Sequence, residues 1–302
     1  MNDPRSHNGH LQAELSHVSL GSTKPGALER FYRARLGMSV SERPSDDLVR
    51  LGLGGDGHAL EISAGHGLDH FALRLSDDDL AVWEPRLRDA GVDCRWSTPA
   101  GAHPPCLCLA DPDGNRIELH SEDGHPEGAS HDVPLRPVRV HHITLRSAHL
   151  PRMVAFYVDV LGFRISDEMG NVFTWLRCNR EHHTVAVVSG DRPGMDHLAF
   201  EIGGWQQLER WCDMLAAADV PLTWGPGRHG PGSNIFVMFD DPDANRVELS
   251  CEMERFWDGR AEYPRVPRRW PVSDLTVNLW GPTPRWRGTG VGTGEAKAGG
   301  RP

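Results

Sequence analysis

The chain repeats itself, and no other feature restricts its fold as much. Residues 15–42, LSHVSLGSTKPGALERFYRARLGMSVSE, match 140–168, VHHITLRSAHLPRMVAFYVDVLGFRISDE. Residues 68–96 match 195–224, and ADPDGNRIELHSE (110–122) matches DDPDANRVELSCE (240–252). Paired positions drift slowly: His17 and His142 are 125 residues apart, His70 and His197 127, Glu118 and Glu248 130. The chain is therefore two homologous halves that differ by small loop insertions.

Each half divides again. A strand that begins with His leads to an amphipathic helix, then to two or three strands separated by turn residues. Leu150, Val154, Phe156, Tyr157 and Leu161 recur at helical spacing over 150–161, and Leu208, Trp211, Cys212 and Leu215 do so over 205–218. NVFTWLR and HTVAVVS are rich in β-branched and aromatic residues and read as strands. The unit is βαβββ, occurring four times, over about 14–64, 66–122, 138–190 and 194–252. Such units exclude a parallel doubly wound sheet. They predict an α+β fold of mixed sheets, each curved around a cavity with helices outside.

The expected organisation is a disordered tail over 1–12 and an N-terminal domain of two modules over 13–122. A polar, Pro/Gly-rich linker follows over 123–137, then a C-terminal catalytic domain over 138–252. Beyond 253 the period is lost. Trp257, Tyr263, Trp270, Trp280 and Trp286 stand among prolines and arginines, which suggests an irregular tail anchored by aromatic side chains, with 288–302 disordered.

A length of 302 residues suits two domains with substantial cores. A net charge of −10 supplies no basic stripe and argues against nucleic acid. No apolar run approaches the roughly 20 residues that span a bilayer, and the polar N-terminus has no signal-peptide core. The expected location is the cytoplasm. The six cysteines show no paired zinc spacing and read as reduced, buried thiols, with Cys106-x-Cys108 packing on one strand face.

The chemistry concentrates in the second half. Glu248 stands on a strand between Val247 and Leu249, and a carboxylate buried there needs a cationic partner or a metal. Strands beginning near His142 and His197 can each point one imidazole at the same centre. Two neutral imidazoles and one carboxylate on one face leave about three positions open, the arrangement that non-haem Fe(II) uses to take both a chelating substrate and O2. Strand alternation lets only one of His141 and His142 face inward, and the repeat selects 142. His182-His183-Thr184 precedes the His197 strand and His229 precedes the Glu248 strand. A histidine beside a metal but not bound to it suits proton transfer near neutral pH. His182 is expected to face away from His183. DPDGNR and DPDANR read as turns held by Asp and Asn side chains, without the pattern of a calcium loop.

Taken together, CNREHHTVAV (178–187), GMDHLAFEI (194–202), GPGRHG (225–230) and DPDANRVEL (241–249) resemble the type I extradiol ring-cleaving dioxygenases of the vicinal oxygen chelate superfamily. The resemblance covers about 14–252. It implies Fe(II), occasionally Mn(II), on His142, His197 and Glu248, with His183 as acid/base and His229 bonded to the bound catecholate. It implies catechol plus O2 giving a ring-opened semialdehyde, in a homo-oligomer, a dimer or tetramer. The pocket is expected to include Thr144, Trp175, His182 and Asn234. It also includes two departures from the family: Met238, beside Phe239, stands where members carry a Tyr, and Trp224 stands where members acting on acidic catechols carry an Arg. The latter suits an apolar substituent.

The first half keeps His17, His70 and Glu118, with His58 and His103 echoing His183 and His229. Most two-domain members have lost these ligands, so a second metal site or an active site there is the alternative to consider. Two rival functions share the frame. One is another superfamily enzyme on the same triad, a hydroquinone cleaver, isomerase or lyase, which the missing Tyr favours. The other is a protein that binds an aromatic ligand without metal, against which the retained triad speaks.

Overall fold

A computed structural model describes residues 10–54, 57–75, 80–101, 103–121, 135–256 and 266–281. Most of the predicted linker, most of the tail over 1–12, Trp257, Tyr263, Trp286 and the stretch 288–302 lie outside the described residues.

The four βαβββ units are present. The first is β1 (Ala13–Ser22), α1 (Pro25–Leu36), β2 (Ser39–Ser45), β3 (Leu48–Gly52) and β4 (Leu60–Ala64). The second is β5 (Gly67–Leu75), α2 (Trp83–Asp89), β6 (Cys94–Ser97), β7 (Cys106–Ala110) and β8 (Arg116–Ser121). The third is β9 (Arg139–Ser147), α3 (Leu150–Ala155), β10 (Arg164–Met169), β11 (Phe173–Arg177) and β12 (Val185–Ser189). The fourth is β13 (Gly194–Glu201), α4 (Trp205–Ala217), β14 (Leu222–Arg228), β15 (Ile235–Asp240) and β16 (Arg246–Cys251).

Each pair of units forms one mixed sheet. The first runs β2-β3-β4-β1-β5-β8-β7-β6, and the second runs β14-β15-β16-β13-β9-β12-β11-β10, extended at its edge by β17 (Arg268–Trp270). The tail is thus more regular than its sequence suggests. β17 pairs in parallel with β10, and a one-turn helix, α5 (Asp274–Val277), follows it. The helix expected over 150–161 ends differently from its counterpart α1. It is α-helical to Ala155 and closes in a π-helical turn over Phe156–Val160. α4 buries Leu208, Trp211 and Leu215 along one stripe, each contributing about 2 kcal/mol of burial.

The two sheets share one apolar core, and the DPD turns help join them. Asp111 Oδ1 accepts from the Asp113 and Asn115 N–H groups, and Asp241 Oδ1 does the same with Asp243 and Asn245. The second carboxylate oxygen of each reaches the other half. Tyr32 of α1 donates to Asp241 at 2.9 Å, and Tyr157 donates to Asp111 at 3.1 Å. Residues 10–12 also belong to the fold. Leu11 is fully buried, and its N–H donates to Leu161 O in the second half.

Because Tyr32 and Asp241 are both buried, Tyr32→Phe should lower stability by about 1–2 kcal/mol. The expected outcome is a urea midpoint shifted down with an unchanged slope. An unchanged midpoint would mean that the reciprocal bonds do not tie the halves together.

Candidate metal centre

The second sheet brings three ligand types into one row. β9 and β13 run antiparallel with His142 opposite Ala199, and β13 and β16 run parallel with Ala199 opposite Glu248. Strands lie about 4.8 Å apart, so His142 and Glu248 reach over the small Ala199 from either side. His197 faces the same space from its place opposite Thr144. One donor atom each from His142, His197 and Glu248 lies within 4.8 Å of the others.

All three are buried. Glu248 Oε1 accepts from Asn234 Nδ2 at 3.0 Å, but Oε2 has no hydrogen-bond partner among the described residues. Three imidazole nitrogens surround that oxygen, His197 Nε2 at 3.4 Å and those of His142 and His229 at 3.8 Å. These spacings are longer than hydrogen bonds. They fit donors that share an ion, where metal–ligand distances of about 2.1 Å set neighbouring ligands roughly 3–3.5 Å apart. Burial opposes ionisation of Glu248, but His142 and His229 outweigh it and hold the carboxyl well below its usual range. Burial drives His142 the other way, down to about 4, so the ring is neutral and its lone pair available near neutral pH.

Each imidazole is aimed by a partner on its other nitrogen, as metal-binding histidines require. His197 Nδ1 donates to Asp196 Oδ1 at 2.9 Å, with Arg246 behind the carboxylate. His142 Nδ1 lies 3.2 Å from His141 Nδ1, whose Nε2 is 2.9 Å from Glu181. A proton on each side of that chain leaves His142 Nε2 as the acceptor. His183 is held the same way: its Nδ1 is 3.0 Å from His182 Nδ1, and His182 Nε2 is 3.1 Å from Asp167. His183 Nε2 is then the free nitrogen. Burial first, then the neighbouring imidazoles, lowers its pKa well below the ordinary value. His229 Nδ1 donates to Val277 O at 2.5 Å, while its ring stacks on Phe236 at 3.8 Å.

These side chains border a partly open pocket. Its polar side is His142, Thr144, His183, His197, His229 and Glu248, and its apolar side is Phe173, Trp175, Trp224, Pro231, Met238 and Val277. None of the lining residues is Arg, Lys or Tyr. Three residues expected in the pocket stand elsewhere. Phe239 lies on the opposite face of β15 from Met238, in the core near Phe31. Asn234 is behind Glu248, and His182 is behind His183. Gly232, at φ 78°, makes room for His182: an added Cβ would come within 3.0 Å of its Nδ1.

Sequence reasoning missed Phe173, Pro231 and the contribution of the tail. Val277 lines the pocket and holds His229. Arg268 and Trp270 donate to Asp167 at 2.9 and 2.8 Å, so β17 braces the His182–His183 pair. The aromatic and basic character of the tail was visible. Its contact residue was not, since Asp167 lies about 100 positions away.

Residues 139–249 match the Glyoxalase/Bleomycin resistance protein/Dioxygenase superfamily. That stretch carries a domain of the glyoxalase, or vicinal oxygen chelate, type. The chain is 28% identical over 244 residues to metapyrocatechase 2 of Cupriavidus necator, covering 71% of this chain and 72% of that protein. It is 25% identical over 288 residues to the biphenyl-2,3-diol 1,2-dioxygenase of Paraburkholderia xenovorans, covering 90% and 88%. The solved Mn(II)-bound glyoxalase from Novosphingobium aromaticivorans superimposes with a TM-score of 0.80 at 25% identity, covering 94% and 93%. Other relatives are named a manganese-dependent 2,3-dihydroxybiphenyl 1,2-dioxygenase and an iron-dependent extradiol dioxygenase. The protein is accordingly an enzyme of the dioxygenase type. Among the described residues no helix is long and apolar enough to cross a membrane.

Asp167 gives the brace a pH signature. Burial would raise its pKa, but His182, Arg268 and Trp270 outweigh burial and hold it at about 2. A depressed folded-state value stabilises the protein above the unfolded value near 3.9 and is lost as pH falls through the folded one. Asp167→Asn should therefore cost about 2 kcal/mol at pH 7, with the deficit closing between pH 4 and pH 2. Chemical denaturation at stepped pH measures this, and a deficit independent of pH would contradict it.

Proposed function

We propose that this protein is an Fe(II)-dependent extradiol dioxygenase that opens a catechol bearing a neutral, apolar substituent. The observation that carries the reading is the buried, unpartnered Glu248 Oε2. It stands among three imidazoles at the floor of a pocket with aromatic walls and no lining Arg or Lys. Such walls accept a ring and its alkyl or aryl substituent, and a carboxylate there would find no lining Arg or Lys to pair with.

His142, His197 and Glu248 would hold the ion, Fe(II) or, as an alternative, Mn(II). When bound, the ion would supply Lewis acidity toward a chelating diol and the redox chemistry that reaction with O2 requires. The remaining work falls to the chain. His183, neutral and with Nε2 free, takes a proton from one substrate hydroxyl as the diol binds and returns it during ring opening. Its back nitrogen is committed to His182, so proton exchange is confined to the pocket side. His229, clamped by Phe236 and with Nδ1 donating to Val277 O, presents Nε2 to the pocket as an acceptor for a substrate hydroxyl. Phe173 and Trp175, stacked at 4.2 Å, form a flat wall that orients the ring, and Trp224, Met238 and Val277 exclude water. Both O2 atoms enter the product, so the balance needs no further reductant or proton.

A second reading keeps the triad but changes the reaction to isomerisation, lysis or hydroquinone cleavage. Met238, which offers no phenol, and the likeness to an Mn(II)-bound glyoxalase favour it.

The test is O2 uptake by anaerobically Fe(II)-loaded protein offered catechol, 3- and 4-alkylcatechols, 2,3-dihydroxybiphenyl and homoprotocatechuate. Uptake with a yellow ring-opened product is expected, favouring the neutral substrates over homoprotocatechuate. His142→Ala should abolish it, and His183→Phe should slow turnover by ~10²–10⁴-fold. Iron-containing protein that consumes no O2 with any of these catechols would overturn extradiol cleavage and leave the second reading. Aromatic binding without bound metal would leave a ligand carrier.

A further inference from the structure

The first sheet repeats the metal-binding frame of the second strand for strand. His17 of β1 stands opposite Ala72 of β5, and Ala72 stands opposite Glu118 of β8. His70 stands opposite Ser19, as His197 stands opposite Thr144. The support behind the imidazole is copied too. His70 Nδ1 donates to Asp69 at 2.8 Å, and Arg116 bonds that carboxylate at 3.0 Å, as Asp196 and Arg246 do for His197.

The donor atoms converge. His17 Nε2 and His70 Nε2 are 3.2 Å apart, His70 Nε2 is 3.7 Å from Glu118 Oε2, and all three residues are buried. One atom from each lies within 4.8 Å of the others. Glu118 is thus a buried carboxylate beside imidazole nitrogens at more than hydrogen-bond length, as at Glu248.

What surrounds the frame is different. The register that sets Trp175 opposite Ala186 sets Arg50 opposite Glu61 in the first sheet. The register that sets Phe236 opposite Ser250 and Met238 opposite Glu248 sets Cys106 opposite His120 and Cys108 opposite Glu118. Two positions that wall the pocket in the second half, those of Trp175 and Met238, thus carry Arg50 and Cys108 in the first. Arg50 is neutralised by Glu61 and Glu42, both at 2.6 Å. Glu118 Oε1 accepts from Cys108 Sγ at 3.7 Å and lies 3.8 Å from Arg116, which leaves Oε2 toward His70. The rings of His58 and His103 lie 4.3 and 5.3 Å from that of His17, and His58 Nε2 is 3.4 Å from Glu61, whose other oxygen is 3.6 Å from His70 Nε2. His120 is already committed, to Ser16 Oγ at 2.8 Å and Ser121 O at 3.1 Å.

We propose that His17, His70 and Glu118 bind a second divalent transition-metal ion in a closed site, with His58 and His103 completing its shell. A metal site whose remaining positions are filled by protein is structural, and one that keeps them open is catalytic. The first half thus holds its ion as a fixed part of the fold, and organic substrate binds only in the second half. The inference does not depend on the ring-cleavage reading, since it concerns metal content alone.

The full chain is stripped, loaded separately with Fe(II) under anaerobic conditions and with Zn(II), desalted, and analysed for metal per chain by mass spectrometry. About two ions per chain are expected for the unaltered protein and about one for each of His142→Ala, His17→Ala and Glu118→Gln. His17→Ala with His142→Ala should retain close to none. Near-UV circular dichroism checks the fold of each variant. If His17→Ala does not fold, the His142→Ala protein decides: one retained ion supports the second site, and none retained overturns it. An unaltered protein that binds a single ion, lost on His142→Ala and kept on His17→Ala, also overturns it.

Discussion

Everything near the centre follows from burying Glu248. Placing an ionised carboxylate between Val247 and Leu249 costs several kcal/mol unless its oxygens are satisfied. Asn234 satisfies one. The other is left to the imidazoles of His142, His197 and His229, none close enough to bond it directly. The strand register provides this geometry. A slip by one residue on β9 or β16 would turn the His or the Glu to the far face of the sheet. Ala199 matters for the same reason, because a larger side chain at the middle of the row would fill the space over which the ligands meet.

From that centre the support extends outward in ordered steps. Asp196 orients His197, His141 and Glu181 orient His142, and His182 and Asp167 orient His183. Each path ends on an arginine: Arg246, Arg139 and Arg268. The imidazoles of His142, His183 and His197 are therefore each held from behind by a side chain that is itself held. The third path crosses to β17, so the segment after the repeat is part of the site and not an appendage.

The two halves show how one frame serves different ends. The rows His142–Glu248 and His17–Glu118 share one register, yet aromatic and thioether side chains line a pocket beside one. Arginine, glutamate, cysteine and histidine fill the corresponding space in the other.

The sequence by itself determined the fourfold βαβββ plan and the α+β class. Apolar periodicity and turn chemistry are local properties, and a repeat shows them twice. The rows His142–Glu248 and His17–Glu118 were legible for the same reason: equivalent positions in a duplicated sheet must share a face. Alternation along a strand could have placed Phe239 away from Met238, but the residue beside a pocket position is easily taken for a second wall. Only the tertiary structure decided which distant segments meet. Nothing local in Asp167, Arg268 or Val277 marks them as neighbours of the site, because contacts between elements about 100 residues apart depend on how sheet edges pair and how the tail returns. The same physics separated the open half from the closed one. Ligand positions follow strand register, which sequence carries, whereas a cavity is the space that packed side chains leave, and that exists only once the chain has folded.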